Sequence, residues 1–179
     1  MVMRQTRRPG TTLFASTLVV GDGDSAYDTS AECAAIIQTN TGNSAFTKFW
    51  EMTVPAQQII GFGSGTAAAG GGRNQGFMHF FAMDVSTDFE EGILRLVVAN
   101  ARETRSKMVL EQNTQRLHTT TATTAITATP TSINDMIALP LLNAPKAAQD
   151  DLLQLWFKTT IPGTTVDAVG FSIPITIWQ

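Results

Sequence analysis

Short β-type runs, each closed by a cluster of turn residues, follow one another along almost the whole chain. That spacing suits a two-layer all-β domain. Thr11–Val20 is ended by Gly21-Asp22-Gly23-Asp24. Ser44–Val54 alternates, with Phe46, Trp50, Met52 and Val54 to one side and Thr47, Glu51 and Thr53 to the other; Lys48 breaks the rule, and Pro55 closes the run. Gln57–Phe62 stops among Gly61, Gly63 and Gly65, and Gly76–Val85 is apolar on both faces. A strand of that kind is sandwiched between layers or covered by a partner. Ile93–Asn100 alternates, Arg102–Ser106 reads as a hairpin loop, and Lys107–Leu117 returns from it. Thr119–Thr129 is nearly all Thr and Ala, and Pro140 breaks Ile133–Leu142. Leu152–Thr160 and Val166–Trp178 complete the set, the last with Val169, Phe171, Ile173, Ile175 and Ile177 on one side.

Two stretches also carry a helical pattern. Thr29–Gln38 has Ala, Glu and Ile-Ile behind a possible Ser30 cap, and Ala147–Phe157 has Asp150 and Asp151 before Leu152, Leu155 and Trp156. The segment Gly61–Gly76 reads as a long loop inside one domain. The expected organisation is therefore an arm over residues 1–10 and one domain over 11–179. Its fold class is all-β: a single jelly-roll sandwich or barrel of about eight strands, with long loops and one or two short helices.

With 179 residues the chain is long enough to bury roughly 70% of its unfolded surface without disulfide support. Its one cysteine, Cys33, reads as a small buried hydrophobe. The balance of 12 basic and 15 acidic residues, net −3, argues against a generally basic nucleic-acid binder, though not against a local basic arm. No stretch has the unbroken apolar core of a secretory signal or a membrane span, so the expectation is synthesis in a cytoplasm. Only 15% of residues are charged, against about 25% in an ordinary domain. Together with 10 Phe, 3 Trp and 7 Met, this suits surfaces that are covered by neighbours, because closed interfaces are poor in charge and rich in aromatics and Met; the other reading is a monomeric sandwich with a polar, uncharged surface.

Catalytic patterns fail one by one. Gly61-Phe62-Gly63-Ser64-Gly65 lacks the third glycine of a dinucleotide fingerprint, the Lys of a P-loop and the flanking glycines of a nucleophile elbow. Asp22, Asp24 and Asp28 suggest a calcium loop, but Ala26 occupies a ligand position and Cys33 the closing one. His79 and His118 have no further His or Cys at zinc spacing, and a Cys33–histidine pair has nothing specific to support it. Glu90-Glu91 and Asp150-Asp151 are neighbours in sequence, so a strand would point them apart; they read as turns or solvated strand ends. The expectation is no catalytic residue, no metal, no cofactor and no enzyme activity. Arg4, Arg7 and Arg8 form a small basic arm, readable as a frayed terminus or as a tether to a neighbouring subunit, nucleic acid or an acidic lipid surface.

Four segments carry a family resemblance: Phe49-Trp50-Glu51-Met52-Thr53-Val54-Pro55-Ala56-Gln57-Gln58, Gly76–Phe81, Gly92–Leu117 with its Arg/Thr-rich hairpin, and Phe171–Gln179. They cover about half the chain and resemble the small major capsid proteins of tailless icosahedral, internal-membrane-containing phages of thermophilic bacteria. The resemblance implies a single upright jelly roll of two four-stranded sheets. It also implies self-association into dimers or higher oligomers, a second, larger capsid protein as lattice partner, an internal viral membrane near the arm of Arg4, Arg7 and Arg8, and a place in the capsid of a virion. No specific nucleic acid is implied. The rival reading is a non-catalytic binding module of carbohydrate- or receptor-binding, tail-fibre type, with Trp50, Trp156 and Trp178 as stacking candidates. An enzyme on a cupin-like roll would need a histidine-rich metal site, which His79 and His118 do not supply.

Overall fold

The computed structural model describes residues 13–23, 29–38, 45–63, 76–83, 91–100, 106–115, 137–141, 146–159, 166 and 168–178. Nine strands and one helix lie among them. In chain order they are β1 (Leu13–Val19), α1 (Ser30–Gln38), β2 (Thr47–Thr53), β3 (Ile59–Phe62), β4 (Gly76–Met83), β5 (Glu91–Ala99), β6 (Ser106–Gln115), β7 (Ile137–Leu141), β8 (Leu152–Thr159) and β9 (Ala168–Trp178). The run Thr119–Thr129 and most of the Gly61–Gly76 loop lie outside the described residues.

The described residues are all-β apart from α1 and form two antiparallel sheets. The first has the order β1-β9-β4-β7, with β3 also on β9; the second has the order β2-β8-β5-β6. β9 pairs with β4 through Ala168–Ser172 and with β3 through Ile175–Trp178, so these two short strands flank the same long one in succession. Counted that way the nine strands fill eight places. The pairings nest: β1 with β9, β2 with β8, β4 with β7 and β5 with β6.

Alternation builds the core. Leu94, Leu96 and Val98 of β5, Leu153, Leu155 and Phe157 of β8, and Val169, Phe171, Ile173 and Ile175 of β9 are all buried, each set spaced by two. Rings meet across the layers: Phe49 lies 6.2 Å from Phe80 and 6.5 Å from Phe171, Trp50 5.0 Å from Phe171, and Phe80 5.5 Å from Phe157. Edge-on and tilted aromatic pairs at these separations add to simple burial.

The exception at Lys48 has a structural cause. Lys48 faces Trp156 and Trp50 faces Leu155, so Phe49 is an extra residue bulged out of the β2–β8 ladder. A bulge reverses the alternation after it. Phe49 and Trp50, adjacent in sequence, therefore both enter the core, whereas Lys48 turns outward to Glu51 at 2.7 Å. Phe46, expected on the Trp50 side, instead lies under the Arg95 guanidinium at 3.5 Å.

α1 confirms the first helical pattern but not its cap. The cap is Thr29: its Oγ1 accepts from Glu32 N at 3.2 Å, while its own N–H donates to Glu32 Oε2 at 2.9 Å. This is a capping box, Thr-x-x-Glu, satisfying two otherwise unpaired donors. Cys33, Ala34 and Ile37 form the buried side of the helix, which packs on β2 and β9. Thr29→Ala is expected to cost about 1 kcal/mol, read as a lower thermal midpoint, with Thr29→Ser close to the parent.

The second helical pattern is corrected. Residues from Leu152 onward are strand, paired on both sides by β2 and β5. Ahead of them the backbone is spent on other partners. Ala147 exchanges two 2.8 Å bonds with Ile60, Asp150 N donates to Val54 O, and Asp151 O accepts from Val54 N. Asp150 also has φ 67°, which stops a right-handed helix. Pro140 does not break β7, which runs through it; β7 is an edge strand, where a missing N–H costs the sheet nothing. Pro174 stands in central β9, in the gap between the β4 and β3 ladders, and its carbonyl accepts from Gly63 N at 2.7 Å.

Candidate functional site

The two sheets present unlike outer faces. On the second sheet, the register sets Lys48 beside Trp156, Trp156 beside Arg95 and Arg95 beside Glu111, one row across all four strands. The row beside it holds Glu51 and Gln154. These groups satisfy one another. Glu51 Oε2 accepts from Lys48 Nζ at 2.7 Å and from Gln154 Nε2 at 2.6 Å, and Gln154 Oε1 accepts from Trp156 Nε1 at 3.1 Å. Arg95 pairs with Glu111. Arg95 and Lys158 both lie over the Phe46 ring, at 3.5 and 5.0 Å. The Arg95–Glu111 pair is exposed and adds little stability; Lys48 and Glu51 are half-buried. The effect of these groups is to keep the face wet.

The first sheet is the opposite. Its outward rows run Val19–Ser172–His79–Ala138 and Phe77–Pro140, with Ile59 beside Trp178. None of its described outward side chains is Asp, Glu, Lys or Arg. Among the described residues, the large hydrophobic side chains left most open to solvent are all here: Phe77 at 55%, Ile59 at 43% and Val19 at 41%. Lys146 reaches its margin, with Nζ 4.3 Å from the Trp178 ring centroid. His79 is half-buried, and its Nδ1 is shielded from solvent without a hydrogen-bond partner. Isolated exposed apolar residues are ordinary; these three share one charge-free face, and between its Ile59 and Val19 ends Thr176 is buried, its Oγ1 donating to Gly63 O at 3.0 Å. Gly76–Val85 read as apolar on both sides, and β4 divides as that reading requires: Met78 and Phe80 fill the core while Phe77 faces out.

The other candidate residues distribute as follows. Arg4, Arg7 and Arg8 lie outside the described residues, as do Asp24, Asp28, Ser64, Glu90 and His118. Asp22 closes a turn: its Oδ2 accepts from Val19 N at 2.8 Å and its N–H donates to Val19 O, with Gly21 at φ 102°, a conformation natural to glycine. Asp150 is an exposed turn residue, but Asp151 is buried rather than solvated, and its Oδ2 holds Ala148 N at 2.8 Å. Cys33 is fully buried beneath α1. Trp50 is in the core, whereas Trp156 and Trp178 are half-buried on the outer faces of different sheets and form no common stacking platform. Among the described residues no three His, Cys, Asp or Glu side chains gather closely enough to hold a metal ion. A shallow hollow between Asn100, Ala148, Gln149 and Asp151 has polar groups already engaged, since Gln149 Oε1 accepts from Gln57 N and Asp151 closes its turn.

Compared with protein-family models, curated proteins and solved structures, the chain gives no match.

Proposed function

We propose that this chain is a structural subunit, a jelly-roll coat protein that works by being packed against copies of itself and a second, larger capsid protein around an internal membrane. The observation that carries the assembly reading is the charge-free outer face of the first sheet with Phe77, Ile59 and Val19 exposed on it. Such a face covers itself at little desolvation cost, because no charge has to leave water. The opposite face, with its Lys48–Glu51 and Arg95–Glu111 pairs, suits solvent. The jelly-roll reading is supported by the nested pairings β1·β9, β2·β8, β4·β7 and β5·β6, the pattern of one long antiparallel hairpin rolled into two sheets. The capsid setting, the larger partner and the membrane rest on the resemblance of residues 49–58, 76–81, 92–117 and 171–179, and the virion is the location that follows.

Sizing chromatography with light scattering tests the assembly reading. The parent chain is expected as dimers or larger species, and Phe77→Asp as a smaller species with at least roughly tenfold weaker association, the loss typical of one central apolar anchor. Its thermal midpoint is expected to stay near the parent value, because Phe77 is already 55% exposed. A parent chain that stays monomeric at high concentration refutes self-assembly. Copy number by mass spectrometry in purified particles tests the capsid setting.

A further inference from the structure

We propose that β1 is the pairing edge for a second copy of this chain, two β1 strands running antiparallel across a two-fold axis and joining two first sheets into one. This rests on the reading above of a self-associating subunit and adds a second contact to it, made through a strand edge and not through the Phe77 face. Among the described residues five strands are paired by a strand on one side only: β1, β7 and β3 in the first sheet, β2 and β6 in the second. An edge strand presents unpaired N–H and C=O groups, and proteins that must not add strands blunt their edges with charge, proline, bulges or brevity. Four of the five are blunted or covered. β3 has four residues, and its Ile60 already exchanges two backbone bonds with Ala147. β7 has five residues and contains Pro140. β2 carries the Phe49 bulge and the Lys48–Glu51 pair. β6 contains Lys107 and Glu111, and its register slips between Leu96↔Leu110 and Val97↔Met108, leaving Val109 as an extra residue.

β1 has none of these devices. Its sequence Leu-Phe-Ala-Ser-Thr-Leu-Val holds no charge and no proline, and its ladder to β9 runs unbroken from Leu13↔Trp178 to Val19↔Ser172. Ser16 and Thr17 are exposed, so their part of the edge is open. The backbone direction is fixed by Asp22: Val19 N donates to its Oδ2 and Val19 O accepts from its N–H, so Val19 points its backbone groups away from β9. Alternation then sends those of Thr17, Ala15 and Leu13 the same way. Asp22 caps the far end, leaving the outward backbone groups of Leu13, Ala15 and Thr17 with no partner strand among the described residues.

The run from Leu13 to Thr17 is complementary to itself. With Ala15 on the two-fold axis, Leu13 of one copy lies opposite Thr17 of the other and Ala15 opposite Ala15. Each such pair exchanges two hydrogen bonds, about six in all. Because β1 carries no charge, pairing it with itself sets no like charges opposite one another. A second copy is thus the occupant this edge fits, and its exposed Val19 extends the same charge-free face.

Two variants test the edge. Thr17→Pro removes an outward N–H that no β9 bond uses, so the fold is expected to persist, checked by an unchanged cooperative thermal transition, while association weakens at least tenfold in sizing with light scattering. Ala15→Cys is expected to give a covalent dimer under mild oxidation, since the facing Cα atoms of a hydrogen-bonded pair lie about 5.5 Å apart, within disulfide reach. Val19→Cys, displaced from the axis, is the control and is expected to stay uncoupled; Cys33 is buried and does not compete. If the parent associates, Thr17→Pro associates equally well and Ala15→Cys couples no better than Val19→Cys, the β1 assignment is overturned while the assembly reading stands. A monomeric parent with no coupling at Ala15→Cys overturns both.

Discussion

Phe49→Ala is expected to destabilise the fold by about 3–5 kcal/mol, the range for truncating a fully buried aromatic. Phe49 is 0% exposed and touches the opposite sheet through both Phe80 and Phe171, so alanine opens a cavity at the meeting of the two layers. The bulge makes the loss worse. Phe49 is the extra residue of β2 and has no Cα partner in β8, so its side chain is what anchors that point of the strand. For a chain of this size the midpoint falls by roughly 2–4 °C per kcal/mol, so a drop of roughly 10 °C is the expected result of a thermal scan. Phe46→Ala is the internal contrast. Three positions earlier, on the outer face, Phe46 only underlies Arg95 and Lys158, and its loss is expected to cost about 1 kcal/mol or less. If the two variants melt alike, the bulged register is wrong and the simple alternation of Ser44–Val54 is right.

That contrast also marks where the sequence stops being legible. The closing strand, Ala168–Trp178, is readable because Val169, Phe171, Ile173 and Ile175 are buried at every second position. Lys48 was a visible irregularity, but a bulge is a property of pairing: only the facing Trp156 and Leu155 reveal that Phe49 is inserted. The helix was legible in type, and its true start was available in Thr29-Ser30-Ala31-Glu32, where a hydroxyl and a carboxylate stand three apart. The helical pattern at Ala147–Phe157 misled because Leu152, Leu155 and Trp156 have helical spacing; what overrides it is long-range pairing with Ile60, Val54, β2 and β5. The candidate surface was legible in quantity but not in place. A charge content of 15% implied that some surface goes without charge. Its concentration on one sheet depends on which strands share that sheet, and only the order β1-β9-β4-β7 supplies it.

The second large effect is expected from adding atoms. Gly92 faces inward on β5, between Thr159 of β8 and Thr114 of β6. A Cβ built there falls 2.1 Å from Phe157 Cζ and 2.5 Å from Cε2, closer than atoms pack, with Lys158 O at 3.1 Å. The Phe157 ring thus occupies the place a side chain at 92 would take, and it is itself 0% exposed and set against Phe80 at 5.5 Å. A ring wedged between a strand backbone and another ring has no nearby rotamer to move into. Gly92→Ala is expected to cost about 1–3 kcal/mol, and Gly92→Val more, through strain in the core. The mechanism has its own signature in a double-mutant cycle. Phe157→Leu alone leaves a void, but beside Gly92→Ala that void is filled by the new methyl group. The pair is therefore expected to be less destabilised than the sum of the two single changes, with a coupling of about 0.5–3 kcal/mol in denaturant melts. Strict additivity would mean that Phe157 does not lie over Gly92, and the packing of β5 against β8 would have to be redrawn.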